Sequence, residues 1–98
     1  MLTSKQRAYL RSMAAMYDTI FQVGKGGISD NMTEQISNAL EARELIKLHV
    51  LENSGEDAYT LLQELAAELD AEPVAVVGRK IVLYRASEKK PTIELPRA

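Results

Sequence analysis

Apolar residues recur at two different spacings along this chain of 98 residues, and segments of the two kinds alternate. Spacings of three and four residues are typical of a helix with one buried face, and short β-branched or aromatic runs are typical of strands. The helical spacing covers Thr3 to about Ala15, about Asp30 to Ala42, and Asp57 to about Ala71. Strands are predicted at Thr19–Val23, Leu45–Val50, Val74–Val77 and Ile81–Tyr84.

The resulting order, αβαβαββ, predicts a single α/β domain with a four-stranded mixed sheet and three packed helices. Each strand–helix–strand unit should form a right-handed parallel crossover. The last two strands should form an antiparallel hairpin across Gly78-Arg79-Lys80. A chain of this size has room for one core. We expect the domain to cover residues 1–86. Residues 87–98 hold two of the three prolines and few apolar side chains, which predicts a flexible C-terminal tail.

The turn Gly24-Lys25-Gly26-Gly27 separates the first strand from the second helix, for which Ser29 is a good N-cap. The first backbone N–H groups of a helix lack helical partners, and the helix dipole is positive there. Glycines let the backbone approach an anion closely, and Lys25 adds a positive charge. These features together predict a phosphate-binding turn.

Two nucleotide-cofactor motifs are excluded at this turn. A P-loop needs Gly-Lys followed by Ser or Thr, which does not occur in the chain, and a dinucleotide fingerprint needs a glycine where Ser29 stands. The remaining G-x-x-G pattern is found in domains whose short loop clamps nucleic-acid backbone. A glycine-rich connector that binds nothing is the alternative.

Charge is distributed unevenly along the chain, whose formal net charge is −2. Residues 52–72 hold seven acidic residues and no Lys or Arg, and the other 77 residues hold 12 basic and seven acidic residues, a net charge of +5. Fields beyond a Debye length of about 8 Å are largely screened, so a local basic surface can attract a polyanion despite the net charge.

Basic residues of the first helix are further candidates for an RNA contact. Arg7 and Arg11 are four residues apart and share one flank of the helix, with Lys5 on the other side. They would lie beside the turn if this helix packs near the first strand; the alternative is a solvated face. Arg79, Lys80 and Arg85 form a second basic group, which is more typical of solubilising hairpin charges.

Candidates for catalysis or metal binding are few. Cysteine is absent, and His49, the only histidine, has no recognisable motif around it. Glu64 and Glu68 are one turn apart on the third helix, where a solvated face is the favoured interpretation. We therefore expect no enzyme activity, no metal and no cofactor.

The absence of cysteine, of a signal-peptide pattern and of an apolar run near the ~20 residues of a membrane span predicts a soluble, cytoplasmic protein. Nothing in the sequence demands a dimer, so we expect a monomer.

Three segments in this order and spacing resemble one family. They are Val23-Gly24-Lys25-Gly26-Gly27-Ile28-Ser29, Ala39-Leu40-Glu41-Ala42-Arg43-Glu44-Leu45-Ile46-Lys47-Leu48 and Val77-Gly78-Arg79-Lys80-Ile81-Val82-Leu83-Tyr84-Arg85. Together they are similar to the chloroplast RNA splicing and ribosome maturation (CRM) domain, and more narrowly to its stand-alone bacterial YhbY-type proteins. The resemblance covers about residues 1–86. The chain departs from many members in being acidic overall.

The resemblance implies a fold similar to the C-terminal domain of translation initiation factor three. It also implies binding to precursor large-subunit ribosomal RNA in a pre-ribosomal particle during ribosome assembly. The family's RNA-contacting G-x-x-G loop corresponds to Gly24, Lys25, Gly26 and Gly27, and its basic first helix to Lys5, Arg7 and Arg11.

The hypothesis from sequence is therefore an RNA-binding protein without catalytic activity that acts in ribosome assembly. One alternative is a protein-interaction module whose acidic third helix docks on a ribosomal protein. A small hydrolase or phosphotransferase is a second alternative, which the missing nucleophile, metal cluster and P-loop disfavour.

Overall fold

The computed structural model describes residues 1–97 and confirms the predicted α/β domain with the order αβαβαββ. Within these residues the helices are α1 (Ser4–Ala14), α2 (Asp30–Arg43) and α3 (Ala58–Leu69). The strands are β1 (Phe21–Val23), β2 (Leu45–Val50), β3 (Glu72–Val77) and β4 (Lys80–Tyr84). A short 3₁₀ turn, Glu52–Ser54, lies between β2 and α3.

The strands form one mixed sheet in the order β1-β2-β4-β3. β1 and β2 are parallel, and β4 is antiparallel to both of its neighbours, β2 and β3. The predicted β3–β4 hairpin is thus confirmed. β2 and β3 run in the same direction, but β4 lies between them, so that the second crossover does not join adjacent strands. The right-handedness of the crossovers stays a prediction.

The helices lie on both faces of the sheet. α2 and α3 pack against one face, where Ile36, Leu40 and Leu65 contact a cluster that includes Leu48 and Ile81. α1 packs against the other face, where its Leu10 and Ala14 meet Leu45, Val74 and Val82. Successive strand residues point to opposite faces, so β2 supplies side chains to both clusters.

Local sequence explains where the helices begin. Thr3 and Gln6 form a capping box at the start of α1. Ser29 caps α2 as predicted, its hydroxyl oxygen accepting from the Met32 N–H at 3.1 Å. Asp57 caps α3 by accepting from the Thr60 N–H at 3.0 Å.

β3 begins two residues earlier than predicted, at Glu72 rather than Val74, while β1 begins two residues later, at Phe21, and α3 ends two residues earlier, at Leu69. Pro73 lies inside β3, and the pairing with β4 shifts register between Pro73 and Ala75. Proline has no backbone N–H to donate to a neighbouring strand. An edge strand tolerates it because the backbone groups on one side of that strand are not paired with another strand. β3 is such an edge strand.

Residues 87–97 contact the rest of the domain through hydrogen bonds and apolar packing. The buried carboxylate of Glu44 accepts from the N–H groups of Ser87, Thr92 and Ile93, and Ile93 and Leu95 pack against the α1 side of the core. These contacts were not expected from the composition of the segment. The flexibility of the predicted tail and its boundary at residue 86 stay predictions, and residue 98 lies outside the described residues.

Across the described part of the chain, the helices are all too short or too polar to cross a bilayer.

Candidate nucleic-acid interface

The Gly24–Gly27 segment forms a tight turn at the end of β1. The Gly27 N–H donates to the Gly24 carbonyl at 3.1 Å, which closes a four-residue β-turn. Lys25 and Gly26 occupy the two central positions of the turn, and both are exposed. The predicted turn is therefore present, with its cation at the tip.

Glycine is needed at two of the three glycine positions. Gly26 has a φ of +96° and Gly27 a φ of +71°, which L side chains rarely adopt. A positive φ at the third turn position, here Gly26, is what a type II turn requires. A Cβ at Gly27 would also lie 3.1 Å from Glu56 Oε1. Gly24 has ordinary backbone and would bring its Cβ only to 3.7 Å from Leu51 Cδ1.

Several backbone donors of the turn are unpaired. Within residues 1–97, the N–H groups of Lys25, Gly26, Ile28 and Ser29 have no hydrogen-bond acceptor. A bound anion can use such donors without breaking any existing bond. Lys25 Nζ, moreover, has no carboxylate oxygen within 4.0 Å in the described part of the chain. The tip of the turn thus offers free amides and a free cation together.

The start of α2 has a different environment from the turn. A groove of about 220 Å³ between α2 and α3 is lined by four carboxylates, those of Asp30, Glu56, Glu64 and Glu68. The Ser29 hydroxyl already accepts from the Met32 N–H, which removes one of the free helix donors. These carboxylates repel an anion from the first turn of α2, and Glu56 also lies beside Gly27. The favourable place for a phosphate is therefore the exposed tip of the turn at Lys25 and Gly26.

The basic residues of α1 lie away from the turn. Arg7 Nε donates to the Pro73 carbonyl of β3 at 3.3 Å. Arg7 and Arg11 line one small cavity together with Val74, while Lys5 is exposed. β3 and β1 are the opposite edges of the sheet, about 14 Å apart at three strand spacings. The structure therefore brings Arg7 and Arg11 together but does not place them beside the turn.

The second basic group of the sequence is divided between the two ends of β4. Arg79 precedes β4 and donates to the carbonyls of Val50, Leu51 and Glu56 at 2.8, 3.0 and 3.0 Å. In this way the Arg79 guanidinium holds the connection that carries Glu56 next to the turn. Sequence reasoning missed this role, because a hairpin arginine gives no sign of which distant carbonyls it will reach.

Arg85 follows β4 and also has structural partners. Its guanidinium donates to the Leu69 carbonyl at the end of α3 and to the Ser37 carbonyl in α2, at 3.0 and 2.7 Å. Of the three residues in this predicted group, Lys80 is the one left exposed.

His49 is half-buried in β2, opposite Lys80 of β4 and Gln22 of β1. Residues 1–97 contain no group of three or more His, Cys, Asp or Glu side chains arranged to hold a metal ion.

Residues 2–85 match the family model described as the CRS1 / YhbY (CRM) domain. The chain is 50% identical over 96 residues to the probable RNA-binding protein YqeI of Bacillus subtilis, covering 98% of this chain and 100% of that protein. It is 32% identical over 96 residues to an RNA-binding protein of Haemophilus influenzae, covering 98% of this chain and 96% of the relative.

A solved structure is also similar over nearly the whole chain. It is the solution structure of the hypothetical protein SAV1595 from Staphylococcus aureus, described as a candidate RNA-binding protein, at 47% identity with a TM-score of 0.70. The similarity covers 98% of this chain and 100% of that one. Both the sequence match over residues 2–85 and this shared fold show that the chain belongs to the CRS1 / YhbY (CRM) domain family.

Proposed function

We propose that this protein binds RNA by its phosphate backbone, and that the Gly24–Gly27 turn is the primary contact. The observation that carries the proposal is the exposed tip of the turn. There, backbone N–H groups without acceptors lie next to Lys25, whose ammonium has no carboxylate partner in the described part of the chain. The names of the relatives support the class of ligand, since those from Bacillus subtilis and Haemophilus influenzae are called RNA-binding proteins.

In this proposal the basic residues of α1 form a second contact. Arg7 and Arg11 lie beside β3, three strands away from β1 and therefore more than about 14 Å from the turn, and Lys5 is exposed near the start of α1. A folded RNA is wide enough to touch both places. Arg7 has a guanidinium N–H engaged by the Pro73 carbonyl, and its remaining donors are available for a phosphate.

We propose precursor large-subunit ribosomal RNA, within a pre-ribosomal particle, as the partner. This part of the proposal is supported by the family resemblance of the three segments around Gly24, Glu44 and Arg79. The protein would act as a cytoplasmic monomer without catalytic activity. Crosslinking in cells, followed by sequencing of the attached RNA, tests it: enrichment of large-subunit precursor reads is expected, and a spread over unrelated transcripts would contradict it.

Salt dependence of binding tests the phosphate-backbone contact. With three to five phosphates contacted, the slope of log K against log[salt] should be about −3 to −5. The measurement is a series of gel shifts on fragments of ribosomal RNA at salt concentrations from about 50 to about 200 mM. Affinity that does not change with salt, or no binding at the lower limit, would contradict the proposal.

A second candidate function rests on the acidic groove. Glu64 and Glu68 of α3 line it together with Asp30 and Glu56, which is a suitable surface for a basic partner such as a ribosomal protein. This function would require α3 rather than the turn, and charge reversal on α3 separates the two.

A further inference from the structure

A cavity of about 430 Å³ opens at the same edge of the sheet as the turn, beside the first half of β2. It exists because β1 is shorter than β2: β1 pairs with Leu48–Val50 and leaves the start of β2 uncovered. Its volume lies within the range of about 300–1,000 Å³ that is common for small-ligand sites.

The cavity has an aromatic wall that solvent can reach. Tyr17 lines it and is 38% exposed, and the neighbouring Met16 is 88% exposed. Ile20, which is half-buried, adds apolar surface, and the buried Leu45 and Ile46 lie beneath the cavity. Aromatic side chains in such positions stack with unpaired nucleobases.

Two cations also line the cavity. Lys47 Nζ donates to the carbonyls of Ala14 and Tyr17 at 3.1 and 3.3 Å, which positions its ammonium and leaves one of its three N–H groups available. Arg43 is exposed, and in the described part of the chain its guanidinium has no carboxylate oxygen within 4.0 Å.

The remaining polar groups accept hydrogen bonds. The Asp18 carboxylate lines the cavity, and α1 and α2 both end there, so the negative ends of two helix dipoles are near. These acceptors disfavour a lone anion inside the cavity. They suit the amino and ring N–H groups of a base, while the phosphate of the same nucleotide stays outside, near Arg43.

We propose that this cavity, which we name the Tyr17 pocket after its lining residue, holds one unstacked nucleotide of the bound RNA. The proposal rests on the RNA-binding function proposed above and adds a base contact to it. Ile20, at the pocket, and Gly24, at the turn, are four residue steps apart along extended chain, a distance of about 13 Å. An RNA strand that follows the free edge of β1 therefore reaches both sites with a few nucleotides.

Titration followed by NMR tests the pocket directly. The probes are the four nucleoside monophosphates, ribose 5-phosphate and inorganic phosphate, each added at millimolar concentration to the full chain. Nucleoside monophosphates should shift the backbone amide signals of Tyr17, Ile20 and Ile46, and the two probes without a base should not. Unshifted signals with every nucleotide, or equal shifts with inorganic phosphate, would overturn the proposal.

Variants of Tyr17 test the pocket on RNA. Tyr17→Leu keeps apolar bulk but removes the ring, and should weaken affinity for a ribosomal RNA fragment about tenfold, whereas Tyr17→Phe should stay within about twofold. Tyr9→Leu is the matched control, since Tyr9 is 43% exposed on α1 and does not line the pocket.

The outcomes separate the two proposals. If the original chain binds RNA and folded Tyr17→Leu binds it equally well, the pocket proposal is overturned and the turn proposal stands. If the original chain binds no RNA, both are overturned.

Discussion

The backbone and side chain of Glu44 are both unusual for a glutamate. It follows α2 with a φ of 68° and is 1% exposed. Burial alone would raise the pKa of its carboxyl group, but hydrogen bonds from Ser87, Thr92 and Ile93 outweigh burial and lower the pKa to about 2. The charged carboxylate thus joins the end of α2 to the C-terminal segment.

Replacing this carboxylate should destabilise the domain. In Glu44→Gln the side-chain NH₂ group would face backbone N–H donors, and the charge-assisted bonds would be lost. We expect the free energy of unfolding to fall by about 3 kcal/mol in a urea titration. The control is Glu94→Gln, at an exposed position of the C-terminal segment that Glu44 contacts. A loss for Glu44→Gln no larger than that of the control would contradict the importance of the contact.

The same carboxylate predicts a pH dependence of stability. The folded-state pKa is about 2 and the ordinary value is 4.5, so between these values the unfolded chain binds the proton more readily. The stabilisation is therefore complete well above pH 4.5 and is lost as pH falls toward 2. It amounts to about 3 kcal/mol for this group. Unfolding followed between pH 7 and 2 should show a shallower decline in Glu44→Gln, and identical slopes would contradict the assignment.

Residues 87–97, the C-terminal segment, make contacts with the domain that their composition did not predict. Besides its bonds to Glu44, its Ser87 hydroxyl and Glu88 N–H donate to the Glu41 carboxylate, and Gln6 donates to the Pro96 carbonyl at 3.0 Å. These contacts join the segment to both α2 and α1.

Removing residues 87–98 tests whether residues 1–86 are a complete domain. Because the truncation removes the donors to Glu44 and the apolar contacts of Ile93 and Leu95, we expect a loss of about 3 kcal/mol in the free energy of unfolding, with thermal unfolding as a second measurement. A truncated chain as stable as the full one would support the boundary predicted at residue 86 and contradict a stabilising role for the segment.

The elements also show how far sequence reasoning reaches. The turn at Gly24–Gly27 and the Ser29 cap were predictable because their signals are local. The position of α1 was not, since an apolar stripe such as Leu10 and Ala14 shows that a face is buried but not against which side of the sheet. Long-range partners, such as those of Glu44 and Arg79, left no pattern in the sequence because they depend on the assembled fold.

At the scale of the whole molecule, charge is separated by region. The acidic segment 52–72 supplies most of the carboxylates of the groove between α2 and α3, while Lys25 and the α1 cations lie elsewhere. Glu56, beside Gly27, is where the two regions meet. In the proposed binding mode the groove would keep RNA off the α3 side, because its carboxylates repel a polyanion, and would leave the turn, the β1 edge and the α1 cations as contacts.

Charge reversal in the groove separates the two candidate functions. Glu64→Lys with Glu68→Lys should raise RNA affinity threefold or more at about 50 mM salt, because local repulsion is replaced by attraction. The matched control is Glu88→Lys with Glu94→Lys, which makes the same change of charge in the C-terminal segment. Equal gains in both variants would contradict a local effect, and loss of ribosome association with unchanged RNA affinity would favour docking on a ribosomal protein through α3.

The central claim, that the turn at Gly24–Gly27 holds RNA phosphate, is tested most directly by comparing Gly26→Asp with Gly78→Asp. Both glycines are exposed, both have positive φ (96° and 62°), and a Cβ on either meets no heavy atom within 4 Å. Gly26→Asp should unfold at a lower urea concentration than Gly78→Asp, because a φ of 62° lies in the left-handed region that Asp tolerates and a φ of 96° does not, so RNA binding is measured without urea on protein shown to be folded. Gly26→Asp should bind ribosomal RNA at least about tenfold more weakly than Gly78→Asp, because its carboxylate would repel the phosphate that the free amides attract. A folded Gly26→Asp protein that binds RNA as well as the original chain would contradict the claim.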